Sequence, residues 1–303
     1  MIAKVRKIEL IVNTAAGGVG PDASHQAQAL MAEFGLKVRL RATPGSTLMA
    51  ELRAAVDAAP DLLVVLAGDG TARAAAEMCG PDGPLVAPLP GGTMNMLPHA
   101  IYGEVPWQEA LRTVLTAGET RTIGGGLIED RTFLVAAILG APALWAPARE
   151  AVRHGQLTLA LRRARRAWRR AFSGRLRYAL DLGARGKTEA LAFLCPLASS
   201  ALDNDAQMLE ADILDPADAA EAFRLAFNAL MGDWRRDPSV LATPCRRAKV
   251  WASGRIPAAL DGEPVLLKSI TEVVWRPAVA RLLCPPSRHA ADLQVAAAAR
   301  VGH

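Results

Sequence analysis

Two glycine-rich turns, each placed where an apolar run gives way to a helical pattern, constrain the fold of this chain most. The first follows the wholly apolar residues 62–66 and reads Gly68-Asp69-Gly70-Thr71. The second follows residues 85–89 and reads Pro90-Gly91-Gly92-Thr93-Met94-Asn95. Glycine lets backbone N–H groups approach a phosphate without a Cβ in the way, and a helix beginning behind the turn adds its positive end. Two such turns, one carrying an acid, predict a site for a nucleoside triphosphate and its metal. Ordinary tight turns are the alternative for either turn alone.

The first third of the chain alternates between strand-like and helix-like segments. The pattern predicts strands at residues 8–12, 36–41, 62–66 and 85–88, and helices at residues 23–34, 45–59 and 107–117. Residues 62–66 are apolar throughout, as in a central strand that is buried on both faces. This alternation predicts an α/β domain with a parallel sheet, in which ligands bind at the carboxyl ends of the strands. Asn13, Gly68 and Gly91 all lie at such ends, so we expect them to share a site.

The pattern changes near residue 120, where short β-rich runs begin to dominate. They lie at residues 120–123, 132–139, 176–182, 190–195, 208–214, 248–252, 271–275 and 278–283. Two helical segments, near 148–172 and 216–231, interrupt them. This pattern predicts a mainly antiparallel β domain in the C-terminal part of the chain.

Composition excludes several classes of protein. With 51% hydrophobic and 21% charged residues over 303 positions, the chain is expected to be folded and soluble. The N-terminus lacks a signal-type apolar stretch, and the longest apolar region, 133–148, is shorter than the ~20 residues that span a bilayer. The four cysteines are scattered and form no CxxC pair, which indicates reduced thiols, a cytoplasmic location and no zinc site.

The order of four motifs resembles the diacylglycerol kinase catalytic-domain family, which includes bacterial lipid kinases and is related to sphingosine kinases. The motifs read Asn13-Thr14-Ala15-Ala16-Gly17, Ala67-Gly68-Asp69-Gly70-Thr71, Pro90-Gly91-Gly92-Thr93-Met94-Asn95 and Asp261-Gly262-Glu263. The family also has a threonine after the second strand, followed by a glycine, and Thr43-Pro44-Gly45 resembles this fifth element. The match in order and spacing covers residues 8–100 and returns at the late acidic motif.

The resemblance implies a nucleotide-binding α/β domain over residues 1–122, related to those of phosphofructokinases and NAD kinases. It implies a β-rich domain over residues 123–286 that shapes a lipid site, and a return of residues 287–303 to the first domain. It also implies that ATP is held by Asn13, Thr14, Ala15, Ala16, Gly17, Thr43, Gly68, Asp69, Gly70, Thr71, Gly92, Thr93 and Asn95.

Three acids are the catalytic candidates. Asp69 would organise Mg²⁺ at the phosphates, because phosphoryl transfer needs charge neutralisation more than covalent chemistry. The alternative is that Asp69 caps its own helix. By the resemblance, Glu263 takes the proton from the lipid hydroxyl, and Asp261 orients it. The alternative is a surface hairpin, since Asp-Gly is a strong turn signal.

Several positions depart from the family pattern. Ala67 replaces a glycine, and Thr14 and Ala16 replace a proline and a serine. Arg73-Ala74 stands where the family has Asn-Glu. The family's metal loop has only an approximate counterpart at residues 202–208, where Asp205 is the candidate ligand for a second metal.

The other marked feature is an arginine-rich segment at residues 157–177, in which arginines surround one apolar stripe at helical spacing. A basic amphipathic helix with a tryptophan suits an anionic membrane surface. The alternative is a solvated helix that docks its stripe on its own domain. Nucleic-acid binding is not expected, because only 5% of the residues are aromatic.

The sequence therefore predicts an ATP- and Mg²⁺-dependent lipid kinase that is cytoplasmic and associates peripherally with membranes. Diacylglycerol, a sphingoid base, phosphatidylglycerol or another lipid alcohol would accept the phosphate. Two alternatives stay open: a polar-substrate kinase such as NAD kinase, and a catalytically weak nucleotide- or lipid-binding regulator. The sequence gives no indication of oligomeric state.

Overall fold

A computed structural model describes residues 5–140, 175–199, 201–203, 205–214 and 240–286. The chain divides into two compact units. The first unit comprises Met1–Ile123 and Ala278–His303, and the second comprises Gly124–Pro277. The first is an α/β unit and the second is built from antiparallel strands, which confirms the predicted fold class.

The first unit is a parallel sheet with helices between its strands. Its strands are β1 (Ile8–Asn13), β2 (Val38–Thr43), β3 (Leu62–Ala67) and β4 (Leu85–Pro90). Its helices are α1 (Ala23–Glu33), α2 (Leu48–Asp57), α3 (Asp69–Cys79), α4 (Met96–Tyr102) and α5 (Trp107–Ala117). The strand order is β2-β1-β3-β4, and every pairing in it is parallel.

Burial explains why these segments form this sheet. Every residue of β3 and β4 is buried, as the continuous apolar runs predict for strands covered on both faces. Helix α1 packs with α5, and α2 packs with α3. The strand order reverses between β1 and β3, and the crevice at the carboxyl ends of such strands is where parallel α/β sheets bind ligands.

The second unit contains two antiparallel sheets. The strands that follow β4 in the chain are β5 (Glu119–Ile128), β6 (Arg131–Phe133), β7 (Ala136–Gly140), β8 (Leu176–Leu180), β9 (Arg185–Thr188), β10 (Ala190–Leu194), β11 (Leu209–Leu214), β12 (Val240–Cys245), β13 (Arg247–Trp251), β14 (Ile256–Leu260), β15 (Glu263–Leu267) and β16 (Ile270–Cys284). One sheet has the order β12-β11-β10-β7-β14-β15, and the other contains β16-β13-β8-β9. Phe133, Phe193, Val250 and Trp275 belong to the shared core of this unit.

The last strand differs from the sequence prediction. Residues 271–275 and 278–283 were expected to form separate strands in the second domain, but they form one strand, β16. Its residues 270–274 pair with β13, and Leu282 pairs with Val86 of β4 in the first unit. Pro277 lies between these two sets of pairs and is exposed, so its missing N–H is not needed there.

Some predicted elements fall outside the described residues. These are the helices at 148–172 and 216–231 and the tail at 287–303. Among the helices that the structure describes, none is long and apolar enough to span a bilayer.

Candidate nucleotide-binding and acidic sites

The loop after β1 is fixed to the end of β2. The side-chain oxygen of Asn13 accepts the N–H of Ala15 at 3.1 Å, which forms a turn of the Asx type. The N–H of Thr14 donates to the carbonyl of Thr43 at 3.1 Å. Thr43 is buried, and its hydroxyl hydrogen-bonds the hydroxyl of Thr47, a residue that the motifs did not indicate. The structure therefore brings the first motif and Thr43 together.

Three loops meet backbone to backbone at the ends of β1, β3 and β4. A Cβ on Gly92 would lie 2.6 Å from the Cα of Gly68, and one on Gly91 would lie 2.7 Å from the nitrogen of Ala67. A Cβ on Gly18 would lie 2.8 Å from the carbonyl oxygen of Gly92. Gly18 also donates its N–H to the carbonyl of Gly91 at 3.0 Å. Close packing of backbone thus requires these glycines, and Gly18 is a site residue that the sequence analysis missed despite the Gly17-Gly18 doublet.

Asp69 is half-buried at the first residue of α3, but its carboxylate serves another helix. Its Oδ1 accepts the N–H of Leu97 at 3.1 Å, in the first turn of α4. Gly68 is the N-cap of α3, and α3 has no side-chain cap bond. Burial raises the pKa of the Asp69 carboxyl above its ordinary value, and the N–H groups at the start of α4 oppose that shift. Asp69 therefore connects the first glycine turn to the helix that follows the second.

Asn95 closes the second glycine turn. Its backbone has a φ of 52°, in the left-handed region, and its side-chain oxygen accepts the N–H of Gly92 at 2.7 Å. Its amide nitrogen donates back to the carbonyl of Gly92 at 3.2 Å. Nearby, Thr93 is exposed, Gly70 is half-buried and Thr71 is buried. A cavity of about 450 Å³ in this unit is lined by Gly18, Pro90, Asn95, His99 and Trp107, among others.

The loops of the first unit offer a magnesium ion one suitable ligand, a carboxylate. Mg²⁺ in proteins is usually held by one or two carboxylates, with phosphate oxygens and waters completing the shell. Asp69 supplies one carboxylate beside the glycine loops. Within the described residues, no group of three or more histidine, cysteine or acidic side chains could hold a metal. Asp205 belongs to the second unit and is exposed.

The late acidic motif forms a tight hairpin turn between β14 and β15. Asp261 and Gly262 have φ values of 47° and 82°, and two such residues joining antiparallel strands are typical of a type I′ turn. Asp261 is buried, at 4% exposure. Its carboxylate accepts the N–H groups of Leu134, Val135 and Ala136 at 2.8, 2.9 and 3.0 Å.

Glu263 differs from Asp261 because it is exposed and begins β15. The turn thus combines the hairpin that Asp-Gly predicts with a buried anchor and an exposed glutamate. The residues predicted to bind ATP all belong to the first unit, whereas Asp261 and Glu263 belong to the second.

The arginine-rich segment is only partly described. Residues 157–174 lie outside the described residues. Arg177 lies in strand β8 and not in a helix, because its neighbours Leu176 and Tyr178 alternate with it as inward-facing residues of the sheet. This agrees with the strand predicted at residues 176–182.

Comparison with known proteins confirms the resemblance that the motifs indicate. Residues 7–127 match the family described as the diacylglycerol kinase catalytic domain. No curated protein matches the chain.

Three solved structures illustrate the fold to which this chain is similar. A diacylglycerol kinase from Bacillus anthracis str. Sterne is similar with a TM-score of 0.69 and 13% identity, over 93% of this chain and 98% of that chain. A second structure from the same organism, of a putative diacylglycerol kinase, has a TM-score of 0.70 and 15% identity, over 93% of this chain and 98% of that chain. An NAD kinase from Archaeoglobus fulgidus in complex with ATP has a TM-score of 0.50 and 11% identity, over 92% of this chain and 94% of that chain. At these identities the likeness concerns the fold.

Proposed function

We propose that this protein is an ATP-dependent lipid kinase, which transfers the γ-phosphate of ATP to a hydroxyl of diacylglycerol or a related lipid. The observation that carries the proposal is the meeting of three glycine loops at the carboxyl ends of β1, β3 and β4, within the segment that matches the kinase family. The fold alone would also suit a polar acceptor, since an NAD kinase shares it.

In this proposal the loops of the first unit hold the triphosphate. The turn at Gly68 leaves space beside its Cα for a phosphate, because even a Cβ there would lie 3.7 Å from its nearest neighbour, the Cα of Gly92. Helix α3 begins directly behind it, and the first-turn N–H groups of a helix favour an anion. Asn13, Thr43 and Thr93 supply polar side chains around this edge. Mg²⁺, held by Asp69, would neutralise charge on the phosphates.

Glu263 is the proposed general base. Its carboxylate accepts the proton of the lipid hydroxyl as that oxygen bonds to the γ-phosphorus and ADP departs. Asp261 is the proposed positioning residue, because its three N–H bonds fix the turn that carries Glu263. Asp205 is the candidate ligand for a second metal ion.

The basic segment 157–177 is proposed to contact anionic membranes, which would bring the protein to its substrate. Eight arginines in this segment carry the charge. Replacing Arg162, Arg163, Arg166 and Arg170 by glutamine is expected to weaken binding to anionic vesicles and to spare phosphorylation of a water-soluble lipid. Unchanged vesicle binding of this variant would contradict the proposal.

The function is tested by incubating the protein with Mg²⁺, γ-labelled ATP and a total lipid extract, with NAD⁺ offered in a parallel reaction. We expect label in a lipid product, identified by mass spectrometry, and none in NADP⁺. The Asp69→Asn variant is the control for a contaminating kinase. Label in NADP⁺ alone would show that the protein is a polar-substrate kinase and not a lipid kinase. Binding of ATP without transfer of its phosphate to any acceptor would favour the alternative of a catalytically weak nucleotide-binding regulator.

A further inference from the structure

The second unit has a strongly basic sheet face that the proposed chemistry does not use. It belongs to the antiparallel strands β16, β13, β8 and β9. Alternate residues of these strands, such as Tyr178, Val250 and Val273, point into the core. The residues between them are on the opposite face. Its cations are all exposed: Arg177, Arg185, Lys187, Arg247 and Lys249.

The pairing register places these cations next to one another. Arg177 lies directly opposite Lys187, and Arg185 lies opposite Ala179, two residues along β8 from Arg177. Like charges directly opposite each other in an antiparallel pair destabilise it. None of the five cations forms an ion pair with a described carboxylate. The folded protein therefore bears a repulsion that an anionic partner would relieve.

Few acids balance this face. Glu272 lies on it, opposite Lys249. Asp181 borders it in the turn after β8, and its carboxylate accepts the N–H of Arg246 at 3.1 Å. A cavity of about 680 Å³ opens beside Arg247 and is lined by Arg246 and Val274 among others. The charge of the face is therefore clearly positive.

Exposed apolar side chains lie at both ends of the same face. Ile270 is 58% exposed and lies opposite Trp251, which is half-buried. Leu182 is 64% exposed, in the turn between β8 and β9. Basic residues among exposed aliphatic side chains and a half-buried tryptophan suit the interface of an anionic bilayer, where the apolar groups enter and the cations meet lipid phosphates.

We infer that this face, defined by Arg177, Arg185, Lys187, Arg247 and Lys249, docks the protein on anionic membrane surfaces. The charge and the apolar ends carry the inference, and the choice of a membrane over a nucleic acid also rests on the proposed lipid kinase function. The five residues of this face belong to strands, and only Arg177 is shared with the segment 157–177.

The test compares two variants with the same change in charge. The face variant combines Arg177→Gln, Arg185→Gln and Lys187→Gln. The control variant combines Arg39→Gln, Arg53→Gln and Lys37→Gln, which are exposed in the first unit. Both are measured by co-sedimentation with phosphatidylcholine vesicles that contain phosphatidylglycerol, and with phosphatidylcholine vesicles alone.

We expect the wild-type protein to bind the anionic vesicles only, and more weakly as salt is added. The face variant should lose about 100-fold in partition coefficient, since each basic residue near an anionic surface contributes about a factor of five. The control variant should lose less than about threefold. Thermal unfolding of the face variant should be unchanged or shifted upward, because the Arg177–Lys187 repulsion is gone. If the triple change disrupts folding, Lys249→Gln alone should give about a fivefold loss.

Equal losses in the two variants, or no binding of the wild type to anionic vesicles, would overturn the inference. Tighter binding to RNA or DNA than to vesicles at the same salt would assign the face to a nucleic acid instead. Phosphorylation of a short-chain, water-soluble diacylglycerol is measured in parallel. If no lipid is phosphorylated but vesicle binding still depends on the face, the proposed function fails and the docking surface stands. If the soluble lipid is phosphorylated and vesicle binding ignores the face, the docking surface fails alone.

Discussion

Asp69 and Asp261 both follow a strand and precede a glycine, but their carboxylates hold the chain in different ways. Asp261 is buried and accepts three N–H groups at 2.8 to 3.0 Å. Asp69 is half-buried, accepts the N–H of Leu97 at 3.1 Å and has its pKa raised by burial. The carboxylate of Asp261 is thus committed to the fold, whereas that of Asp69 is the one we propose to hold a metal beside the phosphates.

This comparison shows that an acid in a functional motif can be present to build the turn. In the second unit the acid with the proposed chemical role is the exposed Glu263, two residues after the anchor. In the first unit we propose that one carboxylate, that of Asp69, serves both purposes. We therefore expect substitution of Asp261 to act mainly on stability, and substitution of Glu263 or Asp69 to act mainly on activity.

The largest effect is expected from Asp261→Ala. The change leaves three buried N–H groups without an acceptor, and each costs ~1–3 kcal/mol. The free energy of unfolding, measured with denaturant, should fall by about 3 to 9 kcal/mol, which is much of the stability of a typical domain. Asp261→Asn, which keeps one accepting oxygen, should lose less. Asp130→Ala, at an exposed turn, is the control and should change stability by less than about 0.5 kcal/mol. A loss below about 1 kcal/mol for Asp261→Ala would show that the anchor is unimportant.

Glu263→Gln should separate chemistry from stability in the same turn. The amide keeps the volume but cannot accept the proton, so lipid phosphorylation should fall ~10²–10⁴-fold. ATP binding and the free energy of unfolding should stay near wild-type values, because Glu263 is exposed. Glu119→Gln, exposed at the start of β5, is the matched control. If ATP affinity collapses while turnover at saturation is unchanged, Glu263 is a nucleotide-binding or structural residue and not the base.

The two units also differ in how far the sequence predicts their fold. In the first unit β1, β3 and β4 are mainly apolar runs, β2 alternates apolar and basic residues, and helix α5 has the predicted bounds, Trp107–Ala117. In the second unit β9 reads Arg-Gly-Lys-Thr and has no apolar alternation. Strands β14 and β15 each contain a proline and were not predicted. Their formation depends on pairing with distant strands, which local patterns do not report.

The candidate sites follow the same division. Spacing located the glycine turns and the acidic turn, because strand ends, glycines and acids are local features. The hydrogen-bond partners were not predictable from the sequence. Leu97 is 28 residues from Asp69, and the partners of Asp261 are 125 to 127 residues away. Helix α4 was also missed, so nothing indicated that Asp69 would cap it.

Asp69→Asn should lower phosphoryl transfer by at least ~100-fold, since removing one charge-stabilising group costs ~2.7–4 kcal/mol of barrier. The amide oxygen can still accept the N–H of Leu97, so the fold should survive. Turnover is measured at saturating Mg²⁺, with the exposed Asp57→Asn as the control. Near-normal turnover would remove Asp69 from the site.

The same variant has a pH signature. Burial raises the pKa of Asp69 in the folded state above 3.8, so folding favours the protonated carboxyl. The wild type should therefore lose stability relative to Asp69→Asn as pH rises from about 3.8 through the higher folded-state pKa. Denaturant unfolding at a series of pH values measures this difference. A wild type that instead gains stability relative to the variant over this range would show that the N–H groups of α4 outweigh burial.

The smallest effects should distinguish the two glycines that face each other in the first unit. A Cβ on Gly92 would lie 2.6 Å from the Cα of Gly68, and backbone on both sides cannot yield. Gly92→Ala should therefore lower the free energy of unfolding by ~1–3 kcal/mol. A Cβ on Gly68 would lie 3.7 Å from Gly92, and its φ of −80° suits alanine. Gly68→Ala should change stability by less than about 1 kcal/mol but weaken ATP binding, because the added methyl occupies the space that a phosphate would need. Unchanged ATP affinity in Gly68→Ala, measured by calorimetry, would mean that both glycines serve only the packing of the loops, and that the triphosphate lies elsewhere.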